Sequence, residues 1–171
     1  DLNEKAKDNG LQMRLDKMLL RRLDTSEGNK SGTEIVCNFD EDLMALFSEV
    51  AHWEKFHGEF SIPYIAHDIC NKKEQLRIMR ESVMVVVRAY NDIIHDISTE
   101  ERRLFMDHIR KLDRRINPGL VKLTWQSKNM IEMYVRDCCT SCVDIHSIVR
   151  EYKECRIQIS KICKQMGSTL L

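Results

Sequence analysis

The stretch LRIMRESVMVVVRAYNDIIHDI, residues 76–97, decides the fold class of this chain. Its apolar side chains recur at steps of three and four residues, which keeps one face of a helix turned towards partner helices. The residues on that face are Leu76, Met79, Val83, Val86, Tyr90, Ile93 and Ile97. Val87 and Ile94 widen the stripe, so we expect this helix to lie centrally in a bundle.

A longer apolar seam follows near the end of the chain and predicts a helix over residues 129–166. That helix would be roughly 57 Å long at 1.5 Å per residue. It outreaches a globule of this size, so we expect it to link two bundles or to pack against further chain, with its outer part as an exposed interface. The seam residues are Ile131, Tyr134, Cys138, Ser141, Ile145, Ile148, Tyr152, Cys155, Ile159, Ile162 and Met166.

Three cap signals predict where helices begin, and one of them, Asn71 with Glu74, is a capping pair before the helix of residues 76–97. Asp40 is placed to accept from the free amides of a first helical turn, and apolar residues follow it to Trp53. Ser98 and Glu101 form a capping box at the start of a third helix. We expect Asn117-Pro118-Gly119 to end that helix, and the apolar residues 120–125 to be extended.

The N-terminal part of the chain lacks the long apolar seams of the later helices. Residues 1–25 predict a charged helix, residues 25–33 are a Gly/Ser-rich linker, and residues 35–37 are a short extended stretch. We therefore predict an N-terminal helix with a flexible linker over 1–34 and a helical-bundle segment over 35–171. The fold class is all-α: an elongated bundle of four to five antiparallel helices with a long C-terminal helix.

Composition agrees with long helices that face water. Of 171 residues, 32% are charged, above the usual ~25%, and only six are Gly and two are Pro. No apolar run approaches the ~20 residues of a membrane span. Lys plus Arg and Asp plus Glu both number 27, so the chain lacks the basic excess of a nucleic-acid-binding protein. We find no catalytic or cofactor motif, and expect neither a cofactor nor a small-molecule substrate.

The balanced charge is unevenly distributed. Residues 34–68 contain eight acids and one base, whereas the third predicted helix is basic. One interpretation of that helix is a docking face for an acidic partner; the other is an ordinary solvated face. The residues of this basic face are Arg103, Arg110, Lys111, Arg114 and Arg115.

Two further groups of side chains have competing interpretations. The thiols of Cys138, Cys139 and Cys142, followed by His146, could form part of a zinc site or a redox switch, or simply pack as small core residues. We expect Trp53, Tyr90 and Trp125 to act as packing anchors. The helix count, the seven cysteines and an Asn29-Lys30-Ser31 sequon leave open a secreted four-helix signalling protein.

A resemblance favours another class. The chain resembles the tail, or stem, of dynein heavy chains over about residues 35–165, and axonemal chains more than cytoplasmic ones. The most specific part is the segment NPGLVKLTWQS, residues 117–127. The other matching residues are 36–40, Leu43, Leu46, 49–50, 62–63, 76–77 and 90–91. Many family members carry Pro where Glu41 stands, and the Cys138–Cys142 cluster is not a family feature.

The resemblance implies a non-catalytic scaffold. Dynein tails are stacks of helical bundles that bind intermediate and light chains, associate with a second heavy chain, and anchor the complex to cargo or to axonemal docking factors. The ATPase ring and the microtubule-binding stalk lie elsewhere in such polypeptides. The implied location is the cytoskeleton of a cilium or flagellum, and no nucleic acid, membrane or small molecule is implied as a partner.

Overall fold

The computed structural model of the chain describes residues 14–23, 34–56 and 71–169. The described part is an all-α bundle with a long C-terminal helix and one small sheet, which confirms the predicted fold class. A 3-10 turn at Glu101–Arg103 precedes the third helix. The elements in chain order are β1 (Leu20–Arg22), β2 (Ile35–Cys37), α1 (Glu41–Phe56), α2 (Lys73–Asp96), α3 (Met106–Val121) and α4 (Lys128–Thr169).

Helix α2 lies at the centre, as its periodicity predicts. All seven residues of its predicted seam are buried, and so are Val87 and Ile94. Burying side chains of this size is the main favourable term in folding, at about 1.5–3 kcal/mol for each large aliphatic side chain. The strict spacing of three and four is therefore the strongest fold signal in the sequence.

Contacts between the helices show an up-down-up arrangement. The hydroxyl of Tyr90 on α2 donates to Asp113 of α3 at 2.8 Å. At one end of the α3–α4 pair, the rings of Phe105 and Tyr152 lie 5.3 Å apart, and at the other Tyr134 donates to the carbonyl of Ile116. Helix α3 thus runs antiparallel to its neighbours, whereas α2 and α4 run the same way.

The helix predicted over residues 1–25 is contradicted at residues 16–23; of the described residues in that range, Arg14 and Leu15 are helical. Residues 20–22 form strand β1, which pairs antiparallel with β2, and Leu19 donates its N–H to the carbonyl of Leu123 at 2.9 Å. These partners lie far along the sequence, so local periodicity does not reveal them. The predicted extended stretch at 35–37 is confirmed as β2. The linker at 25–33 lies outside the described residues.

Helix α3 does not end at Asn117, and this prediction is wrong too. The helix continues through Pro118 to Val121, so the first two residues of the expected extended segment 120–125 are helical and the other four are not. Proline cannot donate an N–H, yet the carbonyl of Pro118 accepts from both Lys122 and Leu123 and closes the last turn. Thr124 then pairs with Met18 in an isolated bridge.

The cap predictions at Asp40 and at Ser98–Glu101 are confirmed, whereas the N-cap residue of α2 is Lys72, which makes no side-chain cap hydrogen bond. An oxygen of Asp40 accepts from the N–H of Asp42 at 3.1 Å, at the start of α1. At the turn before α3, Glu101 accepts from the N–H of Ser98 at 3.1 Å, and Ser98 Oγ accepts from the N–H of Glu101 at 3.3 Å. This reciprocal pair is the capping box read from the sequence.

Candidate functional site

The basic face of α3 is exposed along its length. Arg110, Lys111, Arg114 and Arg115 are exposed on the helix, and Arg103 is exposed in the 3-10 turn that precedes it. Arg110 pairs with Asp107 at 3.4 Å. Within the described ranges, the other four form no ion pair with an acidic side chain. The result is an outer surface of unneutralised positive charge, although solvent screening makes each charge weak by itself.

The predicted anchors Tyr90 and Trp125 hold separate elements together. Trp125 is 1% exposed, its Nε1 donates to the carbonyl of Asn38 at 3.0 Å, and its ring meets Phe39 edge-on at 4.8 Å. Burial raises the pKa of Tyr90 to about 12, so the phenol stays neutral and donates to Asp113. The side chain of Trp53 lies outside the described part.

Asn91 has a structural role that sequence reasoning missed. Its side-chain amide accepts from the N–H of Ile35 at 3.1 Å and donates to the carbonyl of the same residue at 2.9 Å. The amide therefore pairs with β2 as another strand would. In the sequence, the only indication that Asn91 matters was its place next to Tyr90 in the dynein-like pattern. The side chains of these residues join elements of the fold to one another: Tyr90, Asn91 and Trp125.

The cysteine cluster does not form a shared site with His146. Cys138 and Cys142 are buried, and Cys138 Sγ donates to the carbonyl of Arg115 on α3 at 3.4 Å. His146 is exposed and faces α2 instead, because steps of four residues drift by about 40° around a helix. Burial raises the pKa of both buried thiols to about 12, which makes them poor nucleophiles.

His146 opens onto a groove of about 710 Å³ between Glu34, α2 and α4. His95 lines the groove and contacts Glu34 at 3.0 Å. In the part of the chain that the structure describes, no group of three or more His, Cys, Asp or Glu residues could hold a metal ion. The six cysteines in those ranges are free thiols. The groove is lined by side chains of both charge signs.

The long helix α4 has a buried half and an exposed half. Cys142 and Val149 occupy core positions that the sequence assigned to Ser141 and Ile148, since a straight helix drifts from a strict heptad. Beyond Tyr152 the seam leaves the bundle. Its exposed residues are Cys155, Ile159, Ile162 and Met166. Within the described ranges no helix is long and apolar enough to cross a membrane.

Two ion pairs hold α4 where it leaves the bundle. Lys153 bonds both the carboxylate and the backbone carbonyl of Asp96, the last residue of α2. Arg156 Nη1 lies 2.6 Å from an oxygen of Glu101, whose side chain is 6% exposed. The hydrogen bond from the Ser98 N–H lowers the pKa of Glu101, so the carboxylate is charged when it meets Arg156.

Comparison with known proteins identifies the family. A family model described as "Dynein heavy chain, N-terminal region 1" matches residues 2–134. The chain belongs to the dynein heavy-chain family. It corresponds to the N-terminal region of these proteins and not to their motor ATPase domain.

Individual relatives agree with this dynein assignment. The chain is 37% identical to human dynein axonemal heavy chain 2 over 161 residues, 92% of its own length. It is 35% identical over 147 residues, 85% of its length, to the dynein-1-beta heavy chain of the flagellar inner arm I1 complex of Chlamydomonas reinhardtii. It spans only 4% and 3% of these two relatives. The match argues against a secreted four-helix signalling protein.

Proposed function

We propose that this chain is a non-catalytic scaffold segment of a dynein heavy-chain tail in the axoneme of a cilium or flagellum. The observation that supports this proposal most directly is the match to the N-terminal heavy-chain region over residues 2–134. Relatives named as axonemal and flagellar chains support the location. In this role the bundle supports assembly with intermediate and light chains and anchors the motor complex for microtubule-based movement.

Mechanical rigidity suits this role. A tail must transmit force between an anchored base and a motor, so its helices must not slide past one another. The buried seam of α2, the Tyr90–Asp113 hydrogen bond and the two ion pairs on α4 oppose such sliding. Packed interiors are poorly compressible, which lets a bundle of this kind carry load.

The basic face of α3 is the proposed docking surface for a partner subunit. Arg103, Lys111, Arg114 and Arg115 present positive charge that no acidic side chain in the described ranges neutralises. Opposite charge on a partner would speed association and fix its orientation. A second heavy chain or an axonemal docking factor could supply it as well as an intermediate or light chain.

Charge reversal tests this surface. We expect Arg114→Glu with Arg115→Glu, placed in the heavy chain, to reduce co-precipitation of at least one dynein subunit from axonemal extracts. The matched control is Lys128→Glu with Arg136→Glu, which reverses two exposed bases on α4. Unchanged recovery of every subunit with the α3 pair would remove the docking surface from the proposal. Failure of even the unaltered heavy chain to recover any dynein subunit would contradict the scaffold function itself.

A further inference from the structure

The connection between α2 and α3 is held at both ends by side chains of α4. Lys153 bonds the carboxylate and the backbone carbonyl of Asp96, where α2 ends. One helical turn further on, Arg156 Nη1 lies 2.6 Å from an oxygen of Glu101, in the 3-10 turn before α3. Two bases three residues apart on α4 therefore bracket this connection, residues 97–105, which we call the strap.

The start of α3 depends on α4 for its attachment. Phe105, the N-cap residue of α3, makes no side-chain cap hydrogen bond. Of residues 101–105, only Glu101 and Phe105 are buried. Glu101 pairs with Arg156, and the ring of Phe105 meets the ring of Tyr152 edge-on at a centroid distance of 5.3 Å. Both buried side chains of the turn thus contact α4.

Glu101 joins the cap of the turn to the attachment of α4. One carboxylate oxygen accepts from the N–H of Ser98, and the other faces Arg156. The hydrogen bond from Ser98 lowers the pKa of Glu101 most, and the charges of Arg156 and Lys153 lower it further. Loss of the two bases would leave a buried carboxylate with fewer partners, which costs free energy and favours opening of the turn.

The outer part of α4 is placed to act on these contacts as a lever. Residues 157–167 are all exposed, and Arg156 is the last residue of α4 to form an ion pair with another element in the described ranges. From Arg156 to Thr169 the helix extends roughly 20 Å, whereas Lys153 and Arg156 are only about 4.5 Å apart along its axis. A sideways force at the tip would therefore load the two ion pairs with about fourfold leverage.

We propose that outward displacement of α4 releases the strap, so that the turn at residues 101–105 opens and the start of α3 loses its fixed position. Arg103, one of the five residues of the basic face, lies in this turn. Load on α4 therefore weakens that end of the docking surface, and by reciprocity a partner bound there resists displacement of α4. The inference rests on the proposed scaffold function, to which it adds regulation of the same surface.

Hydrogen–deuterium exchange of the 171-residue chain tests this coupling, because removing the two bases imitates the displacement of α4. We expect Lys153→Gln with Arg156→Gln to speed exchange at least about tenfold in the strap, where the N–H groups of Leu104 and Phe105 donate to the carbonyl of Glu101. Exchange in the middle of α2 should stay within about twofold of the unaltered chain.

The coupling must also act in the opposite direction. Ser98→Ala removes the oxygen that accepts from the N–H of Glu101, and so loosens the turn from the α3 side. We expect this variant to speed exchange on α4 around residues 152–157 at least about threefold. Unchanged exchange on α4 would mean that the turn and the helix open independently, which contradicts the proposal.

The chain offers a matched control on the same helix. Arg136 and Arg150 form ion pairs that stay within α4, with Glu132 at 4.0 Å and Glu154 at 3.7 Å. Arg136→Gln with Arg150→Gln removes the same charge from α4 and should leave exchange in the strap within about twofold of the unaltered chain.

The outcomes separate this inference from the scaffold function. Unchanged exchange in the strap, equal acceleration with the control pair, or uniform acceleration through α2 would each overturn the coupling. If the double variant loses its helical circular dichroism, Arg156→Gln alone serves as the test, with the same expected pattern. If the strap stays closed while dynein subunits still co-precipitate, the inference is wrong and the scaffold function stands. If the strap opens but reversal of the basic face affects no subunit, the coupling stands and the docking surface fails.

Discussion

The carboxylate of Glu101 joins the 3-10 turn before α3 to the outer part of α4 through its 2.6 Å ion pair with Arg156. One oxygen of Glu101 faces the guanidinium, and the other accepts from the backbone N–H of Ser98. Glu101 is buried, whereas the side chain of Arg156 is 63% exposed. A single acid therefore completes a helix cap and also fixes the point at which α4 leaves the bundle.

The stability of the chain should depend on the charge of Glu101. The Ser98 hydrogen bond lowers the folded-state pKa of Glu101 from its usual 4.5. Its stabilising contribution is therefore fully present above that usual value and is lost as the pH falls through the lowered folded pKa. We expect Glu101→Gln to lower the urea midpoint at neutral pH and to flatten its fall in acid.

Glu100→Gln is the control for this pH dependence. Glu100 is the exposed neighbour and contributes no hydrogen bond or ion pair in the described ranges. Its variant should keep the slope of the unaltered chain in urea titrations followed by circular dichroism. If Glu101→Gln shows that same slope, the ion pair has no energetic role.

Gly119 lies where α3 and α4 touch. A Cβ at this position would stand 2.3 Å from Tyr134 Oη and 2.8 Å from Tyr134 Cζ, so the buried Tyr134 ring would have to move. We expect Gly119→Ala to destabilise the chain by about 1–3 kcal/mol through overpacking. Gly167→Ala, with no atom within 4 Å, should be neutral or stabilising by up to about 1 kcal/mol. Equal unfolding midpoints for the two variants would contradict the packing.

Trp125 connects the end of α3 to the segment before α1. Trp125→Ala should cost about 3–5 kcal/mol, because it removes a large buried ring along with its bond to Asn38. The comparison is Met133→Ala, which truncates a 56% exposed side chain and should change stability by less than about 0.5 kcal/mol. Chemical denaturation measures both. A tryptophan variant as stable as the methionine variant would mean that the ring is not an anchor.

The thiols should differ sharply in reactivity. Cys155 and Cys163 are exposed, whereas Cys138 and Cys142 are buried, and burial raises the pKa of both of these to about 12. Under native conditions we expect iodoacetamide to label the exposed pair and to reach the buried pair only after unfolding. Peptide mass mapping over time measures this. Rapid native labelling at Cys138 would revive the redox interpretation of the cluster.

Local patterns predicted the parts of the fold that depend on near neighbours. The seam of α2 and the Ser98–Glu101 box are local in sequence, and both are confirmed. Strand β1 depends on partners at residues 35–37 and 123, and no pattern within 14–23 points to them. The helix also continues through Pro118, where Gly119 packs closely against Tyr134, a contact between α3 and α4 that the local stop signal does not reveal.

For the candidate surfaces too, the sequence predicts features that depend on local pattern and misses those that depend on distant partners. The exposed outer seam of α4 follows from a helix longer than the bundle that it joins, and its exposure confirms that expectation. The pairing of Glu101 with Arg156 spans 55 residues and leaves no sequence signature. Whether the basic face of α3 binds a partner stays a prediction, because exposure and charge alone describe many solvated faces.

The most direct test of the central claim is to locate this segment in isolated axonemes. An antibody against residues 71–169 would be used on salt extracts of axonemes fractionated on a sucrose gradient. The account predicts a band far larger than 20.2 kDa that co-sediments with dynein ATPase activity. A band near 20 kDa that sediments apart from the ATPase activity, or one absent from axonemes, would contradict the assignment to an axonemal dynein tail.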